Sequence, residues 1–573
     1  MAKYKFLNKP LYEDLNDWPI SKMGKNRAQF VKDLEEMVFQ KIKARKGDQI
    51  GKLLAQTIYR ERTRVKEDPW KVDKNDEAIF WKKMQKKIAE EIDLDHIDPE
   101  VVAQNDRILK AIIHRYAEEI IGYFNNKTFK FARKFLTVVF NRLLNTAANR
   151  NIQRVYGTSF HLHDRMRAYG EVEKLRALFP KGNIVIVPTH FSNLDSILVG
   201  YVLDSIVGLP AFSYGAGLNL YNSGPAAYFM NRLGAYRVDR RKKNVIYLET
   251  LKALSSLLNQ KGVNNIFFPR GTRSRSGAIE DQLKLGLLGS IIDAQRELLK
   301  QGSDRKIIIV PVIMSYHFVL EAKHLIYQYL KKTGQEKFLL PSKKDESKKK
   351  KRIIKFLWEF FSDPSEIIVN IGRPMDAMGN FVDENAVSYD RFGKEVNIRD
   401  YFVKDDQITT DKQRETVYTK QLAQRIIRRF HKENIVLTSH LAAYAVYKIL
   451  KKKHPGLDKF EVLRLPTEDI NFPIDLVADV VSELQVKLEE MAANNDIILS
   501  EGVQKQPLEV IYDGVVKVGK FHIHKPLAVN SKGNIYSRDF ALLYYYHNRL
   551  TGYDLEKAVD WKGIFSRRGD ILD

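Results

Sequence analysis

Between about residues 165 and 375 the hydrophobic positions fall in short runs separated by longer amphipathic stretches, the pattern of strands alternating with helices. The runs at 184–187, 235–238, 265–268, 307–313 and 367–371 predict buried strands of an α/β sheet. The first of them leads into the most informative stretch, Val185-Ile-Val-Pro-Thr-His190-Phe-Ser-Asn-Leu-Asp195. A β-branched run ends at Pro188, a histidine follows, and an aspartate stands five positions later. A second apolar run, 196–206, then predicts a helix packed back on the sheet.

The flanks have a different rhythm. Residues 1–160 are charge-rich with helical periodicity, as in 28–59 and 76–92, and Asp98-Pro99-Glu100 predicts a helix start. The stretch 129–144 is a basic amphipathic helix carrying Lys130, Arg133, Lys134 and Arg142, a pattern commoner in core-packing helices than in membrane anchors. A lysine run at 343–352 leads into 353–361 with Trp358 and Phe361. It fits a membrane-surface contact and equally a solvated loop before a core helix. Residues 376–415 read as polar loop, 419–435, 437–453 and 473–493 as helices, 508–516 as strand-like, and 541–549 as an aromatic helix. Three regions are expected: a helical one at 1–160, an α/β one at 161–376 with a lysine-rich insertion near 341–352, and a mainly helical one at 377–573.

Composition narrows the chemistry. At 573 residues the chain exceeds a single hydrophobic core. It has no cysteine, which excludes disulfides, thiolate catalysis and Cys-ligated zinc, and fits a reducing cytosol. The opening residues lack the apolar core of a signal peptide, and no apolar run reaches the roughly 18 residues of a spanning helix. The chain is therefore expected not to cross a membrane. Lys+Arg 95 against Asp+Glu 71 leaves +24, which suits polyanions: nucleic acid, anionic lipid, or phosphorylated and CoA-type substrates. Neither an aromatic ribonucleoprotein motif nor a zinc finger is present, so nucleic acid is not an expected partner.

His190 and Asp195 are the first candidates for chemistry. In one continuous helix they would sit about 140° apart. With the histidine in a loop and the aspartate in the first helical turn, the carboxylate can curl back to fix the imidazole's tautomer. The same stretch also reads as a plain helix start, Ser192-x-x-Asp195. A second block, Gly234-Ala-Tyr-Arg237-Val-Asp239-Arg240-Arg241, places arginines at a strand end, where they can meet a phosphate or simply face solvent. A third, Phe268-Pro-Arg-Gly-Thr-Arg-Ser-Arg275, follows a strand and combines Gly271 and Thr272 with Arg270, Arg273 and Arg275. Small residues let backbone N–H groups approach an anion, so this loop reads as a phosphate site; its alternative is a flexible basic loop. Lys284 and Gly286 then open a helix, and Ile309-Val-Pro-Val312 is a further buried strand.

Together these blocks resemble the glycerolipid acyltransferases that share a His-x-x-x-x-Asp motif: His190 to Asp195, Gly234 to Arg240, Phe268 to Arg275 with Lys284 and Gly286, and Ile309 to Val312. Ala216-Gly217-Leu-Asn219-Leu220, Gly224-Pro225, Tyr316, Glu321 and the C-terminal Leu542-Leu-Tyr-Tyr-Tyr-His-Asn-Arg549 are similar to the bacterial and mitochondrial glycerol-3-phosphate acyltransferases. The resemblance implies an α/β acyltransferase domain, a mixed sheet flanked by helices, with helical N-terminal and mainly helical C-terminal regions. It implies transfer of an acyl group from acyl-CoA or acyl-carrier protein to glycerol 3-phosphate, giving lysophosphatidate for phospholipid biosynthesis. His190 would be the base and Asp195 its partner. Arg240, Gly271, Thr272, Arg273, Arg275 and Lys284 would bind substrate, with no metal or cofactor. The expected place is the cytoplasmic face of a membrane, peripheral or monotopic, against an anionic surface. Arg270 departs from the family, where a glutamate is usual. Alternatives are another acceptor (dihydroxyacetone phosphate, a lysophospholipid or an amino-lipid precursor) or a catalytically degenerate membrane-binding scaffold.

Overall fold

The computed structural model describes residues 8–89, 99–146, 166–218, 221, 224–333, 367–462, 465, 471–520 and 522–567. The lysine run at 343–352 and the aromatic stretch at 353–361 lie outside them.

The N-terminal part is helical: α1 (Arg27–Lys46), α2 (Ile50–Glu67), α3 (Glu77–Ala89), α4 (Pro99–Ile120) and α5 (Asn126–Thr146). The single periodic stretch at 28–59 is in fact two helices. Gly47, with φ +35°, interrupts it, because a left-handed backbone cannot continue a right-handed helix.

Among the described residues the sheet has 11 strands, in the order β11-β10-β9-β8-β6-β2-β5-β3-β4, with β7 pairing both β6 and β1. The strands are β1 (Met166–Gly170), β2 (Asn183–Pro188), β3 (Ser213–Gly217), β4 (Ala235–Val238), β5 (Asn265–Ile266), β6 (Ile307–Tyr316), β7 (Ile367–Ile371), β8 (Met375–Asp376), β9 (Phe381–Val382), β10 (Ser388–Tyr389) and β11 (Glu395–Val396). β2 is parallel to β5 and β6, whereas β7 and β8 run antiparallel to β6, so the sheet is mixed. Every side chain of β2 and β6 is buried, as their unbroken apolar runs predict for strands covered on both faces. Proline 311 is tolerated in the middle of β6 because of where it falls. β8 pairs with Ile308 and Ile309, β7 with Val312 onward, and the missing N–H lies at the handover. The polar stretch after 376, expected to be loop, supplies β9–β11, two-residue strands too short to show a period of two.

Helices α6 (Asp195–Ser205), α7 (Gly224–Met230), α8 (Val245–Gln260) and α9 (Leu285–Lys300) connect the strands. α8 is shared between two layers. One face joins α9, and another joins α1 and α4 in a core built from Leu34, Val38, Tyr116, Tyr247 and Leu254. The C-terminal part contributes α10 (Lys412–Lys432), α11 (Thr438–Lys453), α12 (Ile474–Ala493), α13 (Pro507–Lys517) and α14 (Phe540–His547). α11 is buried almost all round and packs against α12, α13 and α14. The strand-like reading of 508–516 is wrong: it is α13, begun by Pro507 at its first turn, with Val510, Ile511 and Val515 buried. β-branched residues lower helix propensity by only tenths of a kcal/mol, and burial against α11 outweighs that.

Candidate active site

β2 ends at Pro188 and hands the chain to Thr189 and His190, just before α6 begins at Asp195. That short loop lets the carboxylate turn back. Asp195 Oδ2 lies 2.8 Å from His190 Nδ1. The same oxygen accepts the backbone N–H groups of Phe191 at 2.7 Å and Ser192 at 2.9 Å. The other oxygen accepts the Tyr316 hydroxyl at 2.6 Å. Asp195 has no exposed surface, and its carboxylate is fully engaged by donors, as a buried anion requires. With Nδ1–H given to Asp195, the tautomer leaves Nε2 as the acceptor. Phe268 stacks on the imidazole at 4.1 Å, which limits the ring's motion. The helix-start reading and the orienting reading thus describe the same carboxylate.

His190 lines a cavity of about 620 Å³. Arg240, Gly271, Thr272, Arg273, Arg275 and Lys284 line the same cavity, so the structure brings all the sequence-predicted binding residues to one place. Gly271 sits at φ +74°, where the loop turns, and its N–H donates to Phe268 O at 2.8 Å. Arg240 donates to the Gly271 carbonyl. Among the described residues neither Arg240, Arg275 nor Lys284 has a carboxylate within ion-pair distance. Burial, together with the charges of Arg273 and Arg275, holds the Arg240 guanidinium below its usual range. Such a cluster of like charges is relieved by a bound anion. Apolar side chains of Leu248, Leu251, Leu287 and Leu325 form another part of the wall.

Several residues of the site had no local signal. Glu321 is buried and binds the loop between β2 and α6 twice, accepting from Asn193 N at 3.0 Å and from Ser192 Oγ at 3.1 Å. It also pairs with Arg273, whose Nη1 is 3.1 Å away. That contact is too poorly aligned for a hydrogen bond, and the buried Nη1 keeps unspent donor capacity toward the cavity. Tyr316 and Glu321 are conspicuous in the sequence only through the family resemblance. Glu280 has no such signal. Buried, it accepts the His190 N–H at 2.9 Å. Lys243 and Lys252 add charge to the cavity wall from the start and middle of the stretch leading through α8.

Not every arginine of the second block lines the cavity. Arg241 is tied to Asp73, at 2.5 Å, and to Asp239, and it stacks on Trp70 at 4.3 Å. Lys242 is buried and pairs with Glu119 of α4 at 2.5 Å. The N-terminal helices therefore fix the strand end from which Arg240 projects.

Burial pushes the Glu280 carboxyl above its ordinary range. A raised folded-state value makes the carboxylate a growing cost as pH rises from the unfolded value through the folded one. Glu280→Gln retains an acceptor for the His190 N–H and removes the charge. Its melting temperature relative to the unmodified protein should therefore increase between pH 4 and pH 8, measured by thermal denaturation. A constant or falling difference would contradict the burial argument.

Residues 168–315 match the acyltransferase family. Three curated relatives are similar to part of this chain. The glycerol-3-phosphate acyltransferase of Aeromonas hydrophila is 30% identical over 39% of this chain and 24% of its own length. That of Alteromonas mediterranea is 30% identical over 37% and 23%, and that of Shewanella denitrificans 27% over 47% and 29%. The similarity thus spans about a quarter of the length of these relatives.

Proposed function

We propose, from the match of residues 168–315 to the acyltransferase family, that the protein transfers a fatty acyl group from a thioester, acyl-CoA or acyl-carrier protein, to glycerol 3-phosphate. The product is lysophosphatidate. The observation that carries the reading is a histidine oriented by a buried carboxylate at the wall of a cavity whose other residues include three arginines and four lysines. A base and an anion site in one cavity suit an acceptor that carries both a hydroxyl and a phosphate.

In this mechanism the phosphate sits among Arg240, Arg273, Arg275 and Lys284, with Gly271 and Thr272 at the turn. Binding there places the hydroxyl near His190 Nε2, converting a bimolecular encounter into a positioned one. His190 takes the hydroxyl proton as the oxygen attacks the thioester carbonyl carbon. Asp195 stabilises the imidazolium that forms. The tetrahedral intermediate collapses by breaking the carbon–sulfur bond, and the departing thiolate takes the proton back from His190. No protein nucleophile is needed. We assign the chemistry to the expected α/β region at 161–376, with 1–160 and 377–573 as its supports.

The deciding assay supplies purified protein with an acyl thioester and, in turn, glycerol 3-phosphate, dihydroxyacetone phosphate or lysophosphatidate, and follows thiol release. Release dependent on glycerol 3-phosphate is expected. Release with only one of the other acceptors would change the substrate, and none with any would leave the scaffold reading.

An interfacial location follows from the product's chemistry, and the surface offers a place for it. Among the described residues no helix is long and apolar enough to cross a membrane. On α5, Phe131 and Phe135 are 59% and 54% exposed and stack on each other, and Phe131 stacks on Phe229. Lys127, Lys130 and Lys134 are exposed on the same helix. Each lysine near an anionic surface contributes about 1 kcal/mol, and inserted aromatic rings add attachment that salt does not screen. Binding to anionic liposomes should weaken, but persist, in high salt. Phe131→Ser with Phe135→Ser should remove the salt-resistant part. Failure of the unmodified protein to bind anionic liposomes at low salt would rule out this location.

A further inference from the structure

The C-terminal motif ending at Arg549 has no part in the chemistry described so far, yet it reaches the catalytic loop. Arg549 follows α14 and is almost completely buried. Among the described residues no carboxylate pairs with it. Its partners are neutral: Nε donates to Asn434 Oδ1 at 2.9 Å, and Nη2 to Met314 O at 2.9 Å and Ser315 Oγ at 3.2 Å. Its guanidinium lies over the Phe191 ring, 4.2 Å from the centroid. A buried cation with no carboxylate in ion-pair contact is costly, and burial works against its protonated form, offset only in part by nearby groups that include Glu280. A leucine or methionine would fill the space without that cost.

Where the contacts fall suggests the reason for the charge. Phe191 supplies one of the backbone N–H groups on Asp195 Oδ2. Met314 and Ser315 immediately precede Tyr316, whose hydroxyl holds Asp195 Oδ1. One guanidinium thus grips both elements that hold the aspartate. Its neighbours brace the arginine loop as well. Asn548 Nδ2 donates to Ser276 O at 2.9 Å, and Gly277, at φ +86°, lets the Tyr545 carbonyl approach so closely that a Cβ would come within 2.1 Å of it. Two residues before Ser276, Ser274 N donates to His190 O at 2.7 Å.

We infer that Arg549 is a positioning residue for the His190–Asp195 pair: its planar cation clamps the Phe191 loop to the Met314–Tyr316 segment and so fixes the Asp195 carboxylate. Charge alone does not suffice. The flat face covers a ring while the fork reaches two further elements, a combination that lysine lacks. The inference rests on the acyl-transfer reading of the same site.

A double-mutant cycle on kcat tests it, because a displaced aspartate matters only while the aspartate works. Arg549→Lys should lower kcat about tenfold or more, with acceptor and donor KM changed much less, since small misplacements of catalytic groups cost up to about 100-fold. In an Asp195→Asn background the same substitution should change kcat by less than about twofold. Equal factors in the two backgrounds, or no effect in either, would overturn the inference. If Arg549→Lys does not fold, Phe191→Leu replaces it in the cycle: it removes the ring beneath the cation and leaves the hydrogen bonds of Arg549 in place. The same two outcomes then decide. Absence of acceptor-dependent thiol release in the unmodified protein would instead refute the acyl-transfer reading. Turnover that is present and insensitive to Arg549→Lys refutes the clamp alone.

Discussion

Replacing His190 with alanine should lower acceptor-dependent turnover by about 10⁴-fold or more while leaving the fold unchanged, as loss of the base does in comparable hydroxyl-activating sites. The histidine lies at the cavity wall, and among the described residues its one side-chain hydrogen bond is to Asp195, so its removal disturbs little else. Asp195→Asn should also cost orders of magnitude, for a different reason. An asparagine oxygen can still accept from Phe191 N, Ser192 N and His190, but the negative charge that stabilises the imidazolium is gone. Tyr316 would remain as a partner for the amide, which keeps the loop in place. Initial rates of thiol release, with circular dichroism as the check on folding, measure both. Near-normal turnover in a folded His190→Ala protein would dismiss the base.

The second large effect separates two arginines that look equivalent in the sequence. Arg275 has no carboxylate partner among the described residues, so Arg275→Ala should raise the acceptor's KM and leave kcat and the donor's KM nearly unchanged. A charge-assisted contact of about 1.5–3 kcal/mol corresponds to roughly 10- to 150-fold. Arg273 also neutralises Glu321, which in turn holds Ser192 and Asn193. Arg273→Ala should therefore raise the acceptor's KM by a similar factor and lower kcat as well, because a buried carboxylate loses its cation beside the catalytic loop. Steady-state kinetics with both substrates varied read the split. If either change raised the donor's KM alone, the arginines would belong to the donor's phosphates.

How much of this was legible in the sequence follows from how local each feature is. The strands at 184–187 and 307–313 announced themselves because both faces are covered, leaving no polar position to interrupt the run. The return of Asp195 to His190 needed only a strand, a short loop and a helix start, all within a few residues. The arginine–glycine loop was legible for the same reason. The helix at Pro507–Lys517 was missed because burial against neighbours outweighs weak propensities, and the break at Gly47 because a positive φ at one glycine leaves the hydrophobic period on either side unchanged.

What the sequence by itself determined is therefore the α/β pattern, the histidine–aspartate pair and the set of cations that surround it. The tertiary structure alone decided which groups hold them. Glu280 meets the His190 backbone across 90 positions, Glu321 meets Ser192 across 129, and Arg549 meets Met314 across 235. It also decided that Arg241 turns away to Asp73 while Arg240 lines the cavity, and that Lys242, at the same wall, is neutralised by Glu119. Periodicity and motif spacing report interactions along the chain. Hydrogen bonds reach about 3 Å, so partners so far apart in the sequence are set by the packing of whole elements, which no local pattern encodes.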